Sequence, residues 1–454
     1  MKTLNRVFGI CFAAIILTCC VMPKQGRLDG GIIQCISVAW DGSAGNTDSH
    51  IGNQTAGRTI TSDGRYVVFD SKADNLVIRH TNGRSDVFLY DRQTGVTSIM
   101  SVNSNGETGN GNSQYASISD DGRYVAFISY ATNLTPEDKN GAEYQDAFVH
   151  DRVSGETELV SIASDGTQSN TYTGSVSISA DGRYVAFTTP ADNLVDGDSN
   201  GRMDVFVHDR LTGETSLVSV SSAGTHASAG ASSSALSADG RFIAFVSNSD
   251  NLVDGDTNGA YDIFVHDRIL GETARVSVAS DGRQGNDHSG FDYPSISADG
   301  RFVAFDSAAS NLVAGDTNRY RDIFVHDRTT GETTRISVSS TGEQGNDHAY
   351  TPSISRDGRY IAFYSEASNL VEGDVDGFFD VFLHDQRSGE TIRISVASDG
   401  MQGNGDSFMP SISEDGRYIG FTSYAANFVA GDPYNFSDVF VLDRGEPDPD
   451  AGDG

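Results

Sequence analysis

The segment "DGDTNGAYD", residues 254–262, spaces its polar side chains as Asp-x-Asp-x-Asn-Gly-x-x-Asp. Short oxygen side chains at the first, third and fifth places can share one concave side of a loop. Gly at the sixth allows a sharp turn, the seventh offers a backbone carbonyl, and Asp at the ninth closes the set. Ca2+, a hard cation that takes six to eight oxygen ligands in flexible geometry, suits such a loop. The pattern is complete in three places: Asp196, Asp198, Asn200 and Asp204 with the carbonyl of Arg202; Asp254, Asp256, Asn258 and Asp262 with that of Ala260; and Glu372, Asp374, Asp376 and Asp380 with that of Phe378. It decays in "IRHTNGRSD", "AGDTNRYRD" and "AGDPYNFSD", and in "EDKNGAEYQD" (137–146) an insertion displaces Asp146 from the spacing. Clustered Cys or His ligands for zinc are missing from the pattern. The competing explanation is turn chemistry, because Asp, Asn and Gly also favour Asx turns and left-handed backbone. Decayed copies must fold without metal, so the expected Ca2+ has a structural role.

Other residue sets are weaker. "GDSNG" (197–201) matches a nucleophile elbow in letters alone, since it falls inside one of these loops rather than on a strand-to-helix turn. His150, His208, His266, His326 and His384 recur in "VHDR" or "LHDQ" and are expected to make repeated buried hydrogen bonds to nearby Ser, Thr or Asp. Asp287, His288, Asp292, Tyr293, Asp347, His348, Tyr350 and Asp406 break the repetition. They can supply an acid–base pair, or rings that stack on a sugar or peptide.

The elements that position these residues follow from periodicity. "DGR" followed by an aromatic begins at Asp63, Asp121, Asp181, Asp239, Asp299, Asp357 and Asp415, at spacings of 58, 60, 58, 60, 58 and 58 residues. A fixed period of this size marks a repeat architecture. Each unit reads as four strands: "PSIS", a tight "ADG" turn, "RYVAF", a long loop, "DVFVHDR", a "TGE" turn, and a strand such as "TTRISV". Four antiparallel strands repeated seven times predict an all-β, seven-bladed β-propeller. The seventh unit lacks its last strand, and "IIQCISVAWDGSAGN" (32–46) matches the missing piece, so the N-terminal strand is expected to complete that blade and close the ring. "PSISADGRYVAF" and "DIFVHDRTTGETTRISV" resemble the repeat of bacterial TolB-like, WD40-like β-propellers, and the nine-residue loops look like the calcium loops of integrin-type propellers. The resemblance implies a binding platform, an envelope scaffold or an enzyme's accessory domain, and does not choose among them.

Short turns must share one rim of such a ring and long variable loops the other, so the binding surface is expected on the long-loop rim. A net charge of −32 argues against nucleic acid and anionic membrane surfaces as partners. The partner expected is a protein or glycan, and the protein itself is expected to be a monomer. Lys2, Arg6 and the apolar run 7–18 have the parts of an export signal, and "LTCC" ending at Cys20 resembles a lipobox, which would make a lipid anchor there the membrane link. The expected division is a signal at 1–20, a linker at 21–31, the propeller at 32–444 and an acidic tail at 445–454. The function expected is an exported, calcium-binding scaffold or binding module of the cell envelope. The alternatives are a hydrolase or lyase with a carboxylate site at the channel mouth, and a purely structural surface repeat protein.

Overall fold

Each "DGR" turn joins the first two strands of a blade, and the computed structural model describes these turns within residues 26–27, 31–52, 57–78, 82–397, 399–429 and 436–445. The expected signal and most of the acidic tail lie outside the described residues. Seven antiparallel sheets form, one per repeat. In the third, for example, Ser175–Ile178, Tyr184–Thr189, Asp204–Asp209 and Glu214–Leu217 pair in sequence order. From the second blade to the seventh, first strands of consecutive blades touch one another, which sets them around the central channel. The seventh blade takes Ile32–Cys35 as its fourth strand, paired with Asp438–Asp443 as the sequence predicts. Gly26–Arg27, within the expected linker, adds a short fifth strand by pairing with Ile32–Ile33.

Inside each blade a phenylalanine of the second strand stacks on one of the third, as Phe187 does on Phe206 at 5.8 Å between ring centroids. Both rings are fully buried. Between blades the repeated turn does the fastening. Within its own blade the "DGR" arginine makes a two-pronged ion pair with the aspartate of "HDR", as Arg183 does with Asp209 at 2.9 and 2.6 Å, which fixes the turn. The aromatic that follows is clasped by the next blade: Tyr124 lies beneath Arg210, 4.2 Å from the ring centroid, and against Gly182. A Cβ at Gly182 would sit 2.2 Å from that ring, and its φ of +73° also favours glycine. The tripeptide plus aromatic is therefore an inter-blade clamp.

The recurrent histidines also fasten blades. His208 Nδ1 lies 2.8 Å from Thr215 Oγ1, which donates to the carbonyl of Ile162 in the preceding blade. Thr has one hydroxyl proton, so the histidine must be the donor in the first bond. Burial pushes His208 and His326 down to about 4, so they stay neutral at ordinary pH. On the tight-turn rim, backbone N–H groups at Asp120, Ala180, Ala238, Ala298 and Arg356 each donate to the following blade's carbonyl. Arg58 bridges Asp120 and Glu414 across the first blade at 3.2 and 2.6 Å. The channel holds a cavity of about 70 Å³ here, lined by Ser, Ala and Ile side chains with Arg58, Arg356 and Glu414.

Candidate binding site at the long-loop mouth

The nine-residue loops connect second and third strands on the opposite rim. Their ninth residue opens the third strand and is buried in every blade. It accepts a hydrogen bond from a serine near the end of the fourth strand, as Asp204 does from Ser219 at 2.6 Å and Asp86, in a decayed copy, does from Ser101 at 2.6 Å. This position is therefore required by the blade, with or without metal. The fifth-place side chain folds an Asx turn: Asn200 Oδ1 accepts from the Arg202 N–H at 2.6 Å, Asn258 from Ala260 at 3.0 Å, and Asp376 from Phe378 at 3.2 Å. Asn200 and Asn258 also donate to Asp204 and Asp262, each at 2.9 Å. Gly201, Gly259 and Gly377 at the sixth place have φ of +60°, +64° and +71°, the left-handed turn that the sequence predicts.

The first-place Asp196, Asp254 and Glu372 are exposed, while the third-place Asp198 and Asp374 are buried. In the fourth and sixth blades an arginine enters the loop. Arg275 Nη1 lies 2.9 Å from Asp256 and 3.5 Å from Asp262, and Arg393 Nη1 lies 3.4 Å from Asp374 and 3.0 Å from Asp380. Carboxylate oxygens of Asp374, Asp376 and Asp380 nevertheless lie within 4.8 Å of one another, a triad that can hold a metal ion. In the second blade the insertion bulges out between the acids instead of separating them. Gln168 Nε2 donates to Asp138 and Asp146, each at 3.0 Å, so Asp146 keeps its place in space although its sequence spacing changes.

A second cluster sits at the channel mouth. The longer loop into the fifth blade carries Asp292 and Tyr293 inward and leaves that blade a first strand of only Ser295–Ile296. Asp292 N–H donates to Asp306 at 3.2 Å, and Arg321 Nη1 lies 3.5 Å from Asp306 and 3.9 Å from Asp292. Burial, reinforced by the nearby Asp292 charge, pushes Asp306 up to about 7. Burial alone raises Asp292, which Arg321 partly offsets. In the first blade burial likewise pushes Asp70 up to about 7 against the Tyr115 backbone and the Lys72 charge, with His50 Nδ1 3.9 Å away. Burial raises the Tyr293 hydroxyl, and Tyr115, from the second blade, lies near enough to raise it further. Tyr115, Ser233, Thr351 and Met409, on bulged first strands, have φ between +43° and +61°. Such backbone strain in non-glycine residues often accompanies ligand sites.

Aromatic rings continue outward on one side of the mouth. Tyr350 stacks on Tyr364 at 5.0 Å and meets Phe379 at 5.7 Å; Phe408 links Tyr364 to Tyr424. Arg321 covers both Tyr350 and Phe291, at 4.3 and 4.8 Å. Tyr261, Phe291 and Tyr424 are about half exposed. The loop residues anticipated as an acid–base pair divide. Asp292, Tyr293 and Tyr350 join this cluster, whereas His288 and His348 accept the backbone N–H groups of Tyr261 and Arg321 at 2.9 and 2.8 Å. Asp406 accepts the Phe379 N–H in the same manner, and Asp287 and Asp347 accept the N–H of the histidine that follows. These pairs hold loops and do not form Asp–His dyads. Asp70, Asp306, Arg321, Tyr115 and Tyr364 were not singled out from sequence. An acid before the strand's last Ser, where other blades have Ile, Thr, Val or Tyr, was the available signal for Asp70 and Asp306.

No family model and no curated protein matches this chain. Among solved structures, an oligogalacturonate lyase in complex with manganese aligns with a TM-score of 0.55 and 14% identity, over 92% of this chain and 95% of its own. A putative TolB from Agrobacterium tumefaciens matches at a TM-score of 0.42 and 15% identity, over 79% of this chain and 97% of its own. TolB from Acinetobacter baumannii matches at 0.39 and 15%, over 85% and 82%. The alignment with the lyase shows a shared fold, the β-propeller that the seven repeats predict.

Proposed function

We propose that this protein is an exported β-propeller that binds a neutral or amino-substituted carbohydrate at the long-loop mouth of its channel, as a binding or scaffold module of the cell envelope. The arc of rings from Phe291 through Tyr350 and Phe408 to Tyr424, set beside buried acids, carries the reading. Ring faces suit the C–H faces of sugars, and carboxylate and phenol oxygens suit their hydroxyls. A net charge of −32 disfavours polyuronates. Export rests on Lys2, Arg6 and the apolar run 7–18, and a lipid anchor on Cys20. Ca2+ belongs to this reading as a structural cation of the nine-residue loops, which border the same mouth.

The test is an array of neutral, amino and uronic-acid oligosaccharides probed with the protein. Selective binding of the first two classes is expected. Binding confined to uronates, or to no glycan, contradicts the reading. A catalytic reading is favoured by one observation: Asp292, part-exposed at the mouth and raised by burial, lies against the buried Asp306 and Arg321, which suits a general acid. It requires that array ligands be cleaved and that Asp292→Asn abolish cleavage while retaining binding.

A further inference from the structure

Among the described residues, five loops carry an acid at the third place, and each sets it near the acid that opens the third strand: Asp138 with Asp146, Asp198 with Asp204, Asp256 with Asp262, Asp316 with Asp322, and Asp374 with Asp380. Two carboxylates withdrawn from water are costly together unless a cation or paired donors meet them. Four of the blades supply that partner from their own chain. Arg275, Arg335 and Arg393 enter the loops of the fourth, fifth and sixth blades, the second lying 3.4 Å from Asp316 and 3.5 Å from Asp322. The second blade uses the amide of Gln168.

The third blade has neither. The fourth-strand residue in register with Phe206, as Arg275 is with Phe264, is Leu217. The glutamine position is taken by His226, which bridges to Val220 as Gln284 does to Val278. Asp204 is fully buried and its two oxygens are engaged by Ser219 and Asn200. Asp198 is 6% exposed, and its Oδ1 has no hydrogen-bond partner. The other buried carboxylate oxygens in that condition among the described residues, Asp292 Oδ2 and Asp316 Oδ1, each have an arginine within 4.0 Å. Asp198 Oδ1 has none.

We propose that the third blade binds a divalent metal ion between Asp198 and Asp204, in the place that a guanidinium holds in the fourth, fifth and sixth blades, with His226 at its edge. This rests on reading the nine-residue loops as cation sites and restricts that reading to one loop. A cation or a paired donor is needed at this point of the blade, and three copies have built in an arginine. Burial raises both Asp198 and Asp204, the latter to about 6, and a bound cation would reverse that. Carboxylates with an imidazole alongside suit Mn2+ or Zn2+, whereas carboxylates alone suit Ca2+.

The experiment grafts the arginine. The signal-free protein, stripped with chelator, is titrated with Mn2+ and with Ca2+ by calorimetry, in parallel with Leu217→Arg, Asp198→Asn, His226→Gln and Asp376→Asn. The wild type is expected to bind metal and to melt at a higher temperature when loaded. Leu217→Arg leaves every ligand in place and is expected to weaken binding about 100-fold, with a metal-free melting temperature at or above that of the wild type. Asp198→Asn, nearly isosteric, is expected to weaken binding similarly if the grafted arginine fails to fold. Loss of Mn2+ but not Ca2+ affinity in His226→Gln identifies the imidazole as a ligand, and equal affinities restrict the ligands to oxygen. Binding that survives both Leu217→Arg and Asp198→Asn but is lost in Asp376→Asn overturns the third-blade assignment and leaves the loops as cation sites. Absence of any binding at millimolar metal overturns both.

Discussion

The two rims of the ring follow different rules. On the tight-turn rim, seven copies of one clamp recur, and its arginine, aspartate, glycine and aromatic find the same partners in blade after blade. On the long-loop rim the blades diverge. Acids there are met by an arginine in one blade and an amide in another, while in a third Asp198 Oδ1 is left without a hydrogen-bond partner. Asp306 and Asp70 are kept buried at a cost that no packing requirement explains, since Ile128, Thr188 and Val246 fill the same strand position in other blades. Repetition marks the frame, and departures from it mark the site.

The comparison can be broken most forcefully on the frame. Gly182→Ala drives a Cβ into the Tyr124 ring at a left-handed position, and a loss of about 3 kcal/mol or more is expected in urea unfolding. A loss below about 1 kcal/mol would show that the clamp is loose. Next in size is a pH effect at the mouth. The folded pKa of Asp306 is raised above its ordinary value of 3.8 to about 7, so the native state holds a proton that the unfolded chain has released. Wild-type stability therefore falls, from this group, as pH rises from about 4 to about 7, by roughly 1.4 kcal/mol per unit at most. Asp306→Asn removes the dependence. The variant's stability minus that of the wild type is expected to grow across that window and level off above it, and a flat difference would mean that Asp306 titrates normally. Tyr350→Ala, at the centre of the ring arc, is expected to weaken glycan binding about tenfold, or roughly 1.4 kcal/mol, read by calorimetry. The smallest effect is at Arg319, exposed with φ of +65° where other loops have glycine. Arg319→Gly is expected to raise stability by about 0.5–1 kcal/mol, and a decrease would show that the side chain has a partner there.

The frame was legible because its determinants are local and repeated. The spacing of "DGR" predicts seven blades, and the match of residues 32–46 to the missing strand predicts the closure that Ile32–Cys35 makes. The loops were legible as turns, and their sixth-place glycines behave as the pattern predicts. What stood across the sheet was not. Arg275 lies 13 residues beyond Asp262 and reaches it only because strand register sets it opposite Phe264. Sequence spacing also misplaced Asp146, since two extra residues can bulge outward without moving the acid. His288 and His348 read as catalytic candidates because sequence cannot tell that a backbone N–H already occupies the Nδ1 of each ring. Asp306 and Arg321 come together through the fold of two separate strands and a loop, with no motif to announce them.

The claim that one rim is frame and the other is site is tested most directly by calorimetric titration of one array-selected oligosaccharide into three proteins: the wild type, Tyr350→Ala at the mouth, and Leu211→Ala at an exposed tight turn. The account expects Leu211→Ala to bind as the wild type does and Tyr350→Ala to lose about tenfold in affinity. Equal affinities in the wild type and Tyr350→Ala, or a loss confined to Leu211→Ala, would contradict it.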